Sequence, residues 1–265
     1  MPKNRLAKLK TAARIVRELY RDHDTIGKRL EALQRVAWEL VPGYRLTWPD
    51  SDWCKDSDFN QYLESTGQLK GMNTHNRMML AQLLRLSDNV PGDTVECGVY
   101  KGDSSWLICA ANRSSPLSKQ HHMFDSFEGI SQPGSEDGQH WTRGDLSFGL
   151  NGVQERLKEF EQTAYYPGWI PDRFQDIQDL TFSFVHIDVD LHEPTKDSIE
   201  FFYERLNDGG ILLCDDYGSA FCPGATKACD QFLSSKPESM ISLPASGGFM
   251  IKGQQTGKNF WQTLA

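Results

Sequence analysis

Paired cysteines are missing from this chain of 265 residues, although it contains six cysteines. None of them forms a Cys-x-x-Cys pair, and several lie within apolar runs, where cysteine behaves as a small hydrophobic residue. Zinc sites and disulfide frameworks both depend on regular cysteine spacing. The sequence therefore argues against a zinc site and against a disulfide-stabilised fold.

Long apolar stretches are also missing. No run approaches the roughly 20 apolar residues that a membrane-spanning helix requires. The N-terminal segment lacks an apolar core followed by a small-residue cleavage site, which is the pattern of a secretory leader. Internal repeats and low-complexity segments are absent as well. We therefore predict a globular, cytoplasmic protein without a membrane partner.

Excess positive charge is confined to the N-terminal segment. Residues 1–50 contain 11 Lys and Arg against 6 Asp and Glu, whereas the whole chain contains 28 against 36, a net charge of −8. Nucleic-acid binding depends on clustered Lys and Arg that neutralise phosphates, so the acidic main body argues against it. We interpret the basic segment as the solvated face of a helix.

Helical periodicity marks the first part of the chain. Apolar residues recur at spacings of three and four between residues 6 and 20 and again between residues 26 and 40, which predicts two helices. A third helix is expected over residues 74–87, after a stretch without a clear period. We predict a helical appendage over residues 1–70 and a main domain over residues 71–265.

Strand-like and helix-like stretches alternate in the main domain. The strand-like runs are Thr94–Cys97, His121–Phe124, Thr163–Tyr166, Phe182–Asp188, Ile211–Cys214, Met240–Leu243 and Gly248–Ile251, and the helix-like runs are Ser104–Ala111, Val153–Glu161, Thr195–Leu206 and Ala225–Ser234. Alternation predicts parallel strands joined by crossover helices, and the last two strands form a hairpin. The expected fold is a doubly wound α/β sheet, mostly parallel, with a closing antiparallel strand.

The loops after the first two strands form a candidate binding site, because ligands of open α/β sheets bind beyond the carboxyl ends of the strands. Gly98 and Gly102 let the backbone turn beside a ligand, although their spacing is not that of a dinucleotide site. Asp125 ends the second strand, where a carboxylate can bind both hydroxyls of a ribose. A glycine-containing turn and a solvated surface acid are the alternatives.

Four carboxylates follow two further strands: Asp188 and Asp190 after the fourth, and Asp215 and Asp216 after the fifth. Adjacent parallel strands would bring them to one edge of the sheet, where they repel one another unless a cation or protons intervene. Oxygen ligands suit a hard divalent ion, Mg²⁺ first and Ca²⁺ or Mn²⁺ next. Such an ion could hold a substrate hydroxyl while a carboxylate takes its proton. Helix capping would account for one or two of the four acids.

Several segments resemble the macrocin O-methyltransferase (TylF-like) family over about residues 74–252. They are Gly92–Val99, Phe124–Gly129, His186–Thr195 and Gly209–Gly218. The pairing of Asp-x-Asp with Asp-Asp-Tyr makes the resemblance fairly specific. It implies a Rossmann-like class I S-adenosylmethionine (SAM) methyltransferase fold, dependence on Mg²⁺, and methylation of a hydroxyl group, usually on a sugar.

The resemblance also implies residue roles. By position, Asp188, Asp215 and Asp216 would be metal ligands, and Asp190 would be the general base. The residues implied to line the SAM site are Glu96, Gly98, Asp125 and Ser126. The expected partner is a small-molecule sugar or glycoside, and we expect a homo-oligomer that binds neither nucleic acid nor membrane.

The chain departs from the family after its Asp-x-Asp-Leu stretch. Many members have Tyr followed by Glu-Ser-Thr there, whereas His192–Thr195 reads His-Glu-Pro-Thr. We interpret His192 as a packing or hydrogen-bonding residue rather than a substrate contact, and Trp169 as a core residue rather than an adenine contact. The long loop Gly134–Gly149 is interpreted as a lid over the site, with a solvated insertion as the alternative.

Two other functions remain open. A catechol-type O-methyltransferase would use the same metal chemistry on an aromatic diol. A non-catalytic protein with the SAM fold would use its N-terminal helices for assembly. The four carboxylates argue against the second alternative, because a binding module has no need of a base beside a metal site.

Overall fold

The protein is described from a computed structural model. The described residues are 2–21, 32–33, 35–37, 52–69 and 73–257. The second predicted helix, between residues 26 and 40, lies mostly outside them. Among the helices of the described part, none is long and apolar enough to cross a membrane.

The chain divides into two compact units, Met1–Glu64 and Ser65–Ala265. The first unit contains helix α1 (Pro2–Arg21), which confirms the first predicted helix, and most of α2 (Ser57–Ser65). The second unit contains the sheet and every residue that the sequence predicts for the functional site.

A seven-stranded sheet forms the centre of the second unit. Its strands are β1 (Asp93–Cys97), β2 (His121–Asp125), β3 (Thr163–Pro167), β4 (Phe182–Ile187), β5 (Leu206–Cys214), β6 (Ile241–Ser242) and β7 (Gly248–Ile251). Their order is β3-β2-β1-β4-β5-β7-β6, in which the first five strands are parallel and β7 is antiparallel to β5. The predicted doubly wound fold is confirmed, and the strand order switches between β1 and β4, where ligands bind in such sheets.

Helices cover both faces of the sheet. They are α3 (Thr74–Leu86), α4 (Asp103–Ser114), α5 (Leu150–Arg156), α6 (His192–Tyr203) and α7 (Pro223–Leu233). One face packs against α6 and α7 through residues such as Val95 and Val185, and the other packs against α3, α4 and α5 through Phe184 and Met123. Because both faces are covered, β1, β2 and β4 are buried at nearly every position and lack a simple apolar–polar alternation.

A cluster of phenylalanine rings supports the carboxyl end of β2. Phe174 contacts Phe124 and Phe202 edge to face, with ring centroids 5.1 Å and 4.9 Å apart. Burying each ring contributes roughly 1.5–3 kcal/mol, and each edge-to-face contact about 0.5–1.5 kcal/mol more. The end of β2, where Asp125 lies, therefore rests on a tightly packed core.

Two helix boundaries differ from prediction. Helix α6 begins at His192 rather than Thr195. Pro194 does not prevent this, because the first turn of a helix has no intrahelical partner for its N–H groups. Helix α5 ends at Arg156 rather than Glu161, and the following turn buries Phe160 among the residues packed on α4.

Strand β5 begins at Leu206, the residue at which the sequence predicts the end of a helix. Leu206 is buried and pairs with Phe182 of β4, beyond an irregularity in the register of the two strands. Burial against the neighbouring strand thus outweighs the local helical pattern. Strand β6 is shorter than predicted and covers only Ile241 and Ser242.

Candidate active site

A cavity of about 950 Å³ lies at the carboxyl ends of the parallel strands. Loops after β1, β2, β4 and β5 form its wall, together with the beginning of α3 and part of the long loop before α5. Of the predicted site residues, those that line it are Gly98, Asp125, Ser126, Asp188, Asp190, Asp215 and Asp216. Glu96 is the one predicted site residue that is not part of the wall.

Gly98 joins the ends of β1 and β4 at the switch point. Its φ is +83°, and a Cβ atom built on it would lie 1.8 Å from the carbonyl oxygen of Asp188. Its N–H donates to the carbonyl oxygen of Phe124, 2.8 Å away. Only glycine combines this left-handed conformation with such a close approach. The missing side chain therefore lets the ends of β1 and β4 pack closely at the switch point.

Asp125 holds the loops after β1 and β2 together. One carboxylate oxygen accepts hydrogen bonds from the N–H groups of Val99 and Tyr100, at 2.7 Å and 3.1 Å. The other accepts from the N–H of Phe127 at 2.6 Å. Carboxylate oxygens have further lone pairs, so Asp125 can still accept hydrogen bonds from a ligand in the cavity. The adjacent hydroxyl of Ser126 donates to the carbonyl oxygen of Gly129 at 3.0 Å.

Glu96 lies behind the cavity wall and is fully buried. It accepts a hydrogen bond from the hydroxyl of Ser105 and one from Nδ1 of His186, the latter at 2.9 Å, and Nε2 of His121 lies 3.6 Å away. Burial alone would raise the pKa of Glu96, but the two histidines outweigh it and hold the pKa well below its usual range. Glu96 supports the wall from behind, and its contact with a cofactor stays a prediction.

His186 connects Glu96 with the acidic residues of the cavity. Its Nε2 lies 3.7 Å from Oδ1 of Asp215, whose Oδ2 accepts from Nδ2 of Asn76 at 3.2 Å. Burial would lower the pKa of His186, but Asp215 and Glu96 outweigh it and raise the pKa to about 10. The raised pKa favours the protonated form of His186, which lies between the two carboxylates.

The acidic cluster, defined as Asp188, Asp190, Asp215 and Asp216, carries more negative charge than its neighbours balance. Burial, followed by repulsion from other members of the cluster, raises the pKa of Asp188 and Asp216 well above the usual value and that of Asp190 to about 7. For Asp215 burial acts in the same direction, but His186 reverses it and the pKa is lowered. The arrangement fits a divalent cation, which would relieve the repulsion.

Asp190 and Asp216 approach each other through an unusual backbone conformation. Asp190 has a φ of +61°, and its N–H donates to Oδ2 of Asp216 at 2.9 Å. Ligand atoms of Asp190, Asp216 and Cys222 lie within 4.8 Å of one another, which is a different trio from the predicted Asp188, Asp215 and Asp216. Burial raises the pKa of the Cys222 thiol, so the thiol keeps its proton and donates to Asp190 at 3.6 Å. The available donors are carboxylate oxygens, which suit a hard cation.

An aromatic corner, defined as His140, Trp141 and Phe221, lines the cavity near Asp190. The His140 ring lies 4.6 Å from that of Trp141 at 83° and 4.5 Å from that of Phe221 at 38°. The indole N–H of Trp141 donates to the sulfur of Cys222 at 3.3 Å. Phe221 is 55% exposed, which leaves apolar surface open to a ligand beside the acidic cluster.

Two anchors tie the loop Gly134–Gly149 to the helices of the sheet. Asp137 is buried and accepts hydrogen bonds from the N–H groups of His192 and Gly134, at 2.6 Å and 2.7 Å. Glu136 forms an ion pair with Lys227 of α7. His192 does not line the cavity, which agrees with its interpretation as a hydrogen-bonding residue.

Several cavity residues were missed or misplaced by sequence reasoning. Trp169 lines the cavity instead of packing in the core, because it follows the end of β3 at the open edge of the site. Phe221 and Cys222 lie in the loop between β5 and α7. Apolar residues in a loop at the carboxyl end of a parallel strand are the sequence signal that could have indicated them as cavity residues. For the Glu96–His186 pair the signal was two charged residues inside otherwise apolar strands, which are direct neighbours in the sheet.

Residues 69–242 match the sequence model of the family described as Macrocin-O-methyltransferase (TylF). A relative from Streptomyces olivaceus, 8-demethyl-8-(2,3-dimethoxy-alpha-L-rhamnosyl)-tetracenomycin-C 4'-O-methyltransferase, is 31% identical over 152 residues, which cover 53% of this chain and 58% of that enzyme. Demethyldecarbamoylnovobiocin O-methyltransferase from Streptomyces niveus is 27% identical over 199 residues, which cover 67% of this chain and 75% of that enzyme. The chain thus spans little more than half the length of the first relative.

Solved structures share the fold. The O-methyltransferase NovP superposes with a TM-score of 0.56 at 24% identity, covering 68% of this chain and 80% of its own. The calicheamicin methyltransferase CalS11 superposes with a TM-score of 0.60 at 18% identity, covering 93% of both chains. At these identities the likeness concerns the fold alone.

Proposed function

The chain belongs to the macrocin O-methyltransferase (TylF) family, and we propose that it transfers the methyl group of SAM to a hydroxyl of a sugar or glycoside in a Mg²⁺-dependent reaction. The observation that carries this proposal is the acidic cluster on the wall of a cavity at the switch point. The name of the Streptomyces olivaceus relative, a 4'-O-methyltransferase of a rhamnosyl-tetracenomycin, supports a sugar hydroxyl as the acceptor.

The cofactor end of the cavity, defined as Gly98, Asp125 and Ser126, suits the nucleoside part of SAM. Gly98 lets the loops after β1 and β4 meet closely at this end, and Asp125 has lone pairs left for the two ribose hydroxyls. Since Asp125 is also fixed by backbone N–H groups, binding would cost little reorganisation. Glu96 contributes to this end only indirectly, by holding β1 in place behind the cavity wall.

The acidic cluster suits the metal. Asp188, Asp215 and Asp216 would hold Mg²⁺, and His186 and Asn76 orient Asp215. When bound, the ion supplies positive charge that lowers the pKa of the acceptor hydroxyl and fixes its direction.

Asp190 suits the general base. Its pKa of about 7, raised first by burial and then by Asp188, lies near the operating pH, where a base is most effective. Its backbone conformation and the thiol of Cys222 fix the direction of the carboxylate. As the acceptor oxygen forms a bond to the methyl carbon and the sulfur–methyl bond breaks, Asp190 takes the hydroxyl proton. The products are the methyl ether and S-adenosylhomocysteine.

The aromatic corner offers an acceptor apolar surface beside the acidic cluster. Its rings meet at 83° and 38°, and since aromatic rings pack well edge to face, the choice of a sugar over a catechol rests on the relatives and not on these angles. A puckered sugar can place its C–H groups against such a corner and its hydroxyls towards the acidic cluster.

The proposal is tested by incubating the protein with SAM and Mg²⁺ and two acceptor panels, one of rhamnosides and glycosylated polyketides and one of catechols. Methyl transfer to glycosides, measured by mass spectrometry and lost with EDTA, is the expected result. Transfer to catechols alone would establish the catechol-type alternative. Binding of S-adenosylhomocysteine without transfer to either panel would favour the non-catalytic alternative.

A further inference from the structure

Arg77 is a buried cation in a cavity dominated by carboxylates. It lies in the first half of α3, is 6% exposed and lines the cavity. The acidic residues of the same wall are Asp103, Asp125, Asp188, Asp190, Glu193, Asp197, Asp215 and Asp216. The other Lys or Arg of the wall, within the part of the chain that the structure describes, is the exposed Lys101.

The first turn of α3, which includes Arg77, lies beside the acidic cluster. Asn76, the preceding residue of α3, donates to Oδ2 of Asp215 at 3.2 Å, so the start of this helix lies beside the end of β5, and Arg77 shares the cavity wall with Asp188 and Asp215. The carbonyl group of Asp188 in turn packs against Gly98 at the end of β1. Arg77 is therefore close to the place where a ligand would pass from the cofactor end to the acidic cluster.

The amino-acid part of SAM has to cross this region, because its sulfonium must face the acceptor while its nucleoside lies at the cofactor end. This part carries an α-ammonium group, which the ionised acids of the wall attract, and an α-carboxylate, which they repel and which needs a positively charged partner. A buried guanidinium offers two parallel N–H donors that match a carboxylate. We propose that Arg77 binds the α-carboxylate of the cofactor. This inference rests on the proposed function.

The competing role for Arg77 is that of a counter-charge that only stabilises Asp188 and Asp215. The two roles differ in one respect. 5'-Methylthioadenosine has the nucleoside and sulfur of S-adenosylhomocysteine but lacks the amino-acid part. If Arg77 binds the carboxylate, replacing it lowers the affinity for S-adenosylhomocysteine alone. If Arg77 is only a counter-charge, replacing it changes the affinities for both ligands alike.

The experiment is calorimetric titration of the full chain with both ligands in EDTA, for the wild type, Arg77→Gln, Arg77→Lys and Arg85→Gln. In Arg77→Gln we expect the affinity for S-adenosylhomocysteine to fall about 10- to 100-fold and that for methylthioadenosine to change by less than about twofold. Arg77→Lys should recover part of the loss, since an ammonium keeps the charge but not the paired donors. Arg85→Gln removes an equal charge from the exposed far end of the same helix, outside the cavity wall, and should leave both affinities unchanged.

Thermal melting of each variant accompanies the titrations, so that a folding defect is recognised. Should Arg77→Gln fail to fold, the Arg77→Lys variant still tests the inference, because only the proposed role predicts a lower affinity for S-adenosylhomocysteine with an unchanged affinity for methylthioadenosine. Equal losses for both ligands, or no loss for S-adenosylhomocysteine, would overturn the inference. Failure of the folded wild type to bind either ligand would instead overturn the proposed function.

Discussion

The two ends of the cavity are held in different ways. At the cofactor end, Asp125 accepts hydrogen bonds from three backbone N–H groups, so the chain itself satisfies the carboxylate. In the acidic cluster, burial and mutual repulsion raise the pKa of Asp188, Asp190 and Asp216. The first end is preorganised before any ligand arrives, whereas the second is completed only by a ligand of opposite charge.

The largest expected effect comes from removing the proposed base. Asp190→Asn should lower turnover by about 10²- to 10⁴-fold, because the hydroxyl proton loses its acceptor. The affinity for S-adenosylhomocysteine should stay unchanged, since the cofactor end is intact. Steady-state kinetics and calorimetry measure the two quantities, and Asp197→Asn, which changes another acid of the same wall, is the matched control. Turnover retained in Asp190→Asn would remove this residue from the mechanism.

Metal removal tests whether the acidic cluster is completed by a cation. EDTA should abolish transfer and added Mg²⁺ restore it, while S-adenosylhomocysteine still binds the chelated protein. In Asp215→Asn the Mg²⁺ concentration for half-maximal activity should rise about 10- to 100-fold, because a charged ligand is lost. Calorimetric titration with MgCl₂ provides a readout that is independent of turnover. Full activity in EDTA would show that the cluster acts without a metal.

Asp125→Ala tests whether the cofactor end is preorganised. Three backbone N–H groups lose their acceptor, and hydrogen bonds to a charged group contribute about 1.5–3 kcal/mol each, so the melting temperature should fall. The affinity for S-adenosylhomocysteine should fall as well, by about 10-fold. By contrast, Asp188→Asn should raise the melting temperature of the metal-free protein, because an amide avoids the free-energy cost of either protonating or burying the Asp188 carboxylate. A fall in both variants would contradict the comparison between the two ends.

The smallest effect is a pH dependence of stability in the metal-free protein. The pKa of Asp190 in the folded protein, about 7, lies above its ordinary value of 3.8. Its contribution to stability is therefore fully present below about pH 4 and is lost as the pH rises through 7. The melting temperature of the wild type should fall relative to that of Asp190→Asn between pH 5 and pH 8. A difference that does not change with pH would show that Asp190 titrates normally.

Much of this architecture could be predicted from local patterns. The alternation of strand and helix signals determined a doubly wound sheet, and the order of the segments along the chain determined which loops lie at its carboxyl edge. For that reason the sequence predicts that Gly98, Asp125 and the acidic cluster lie at this edge, where they line one cavity, and the resemblance to the TylF family is confirmed. A residue that directly follows a parallel strand has its position decided by chain order alone.

Tertiary structure decided which side chains meet at that edge. Glu96 faces His186 behind the wall because β1 and β4 pair in one register, and Cys222 reaches Asp190 through a backbone conformation with a φ of +61°. Arg77 enters the site from a helix that precedes the first strand. Sequence periodicity describes one segment at a time, whereas register, dihedral angles and the docking of a helix depend on packing between segments that are distant in the chain.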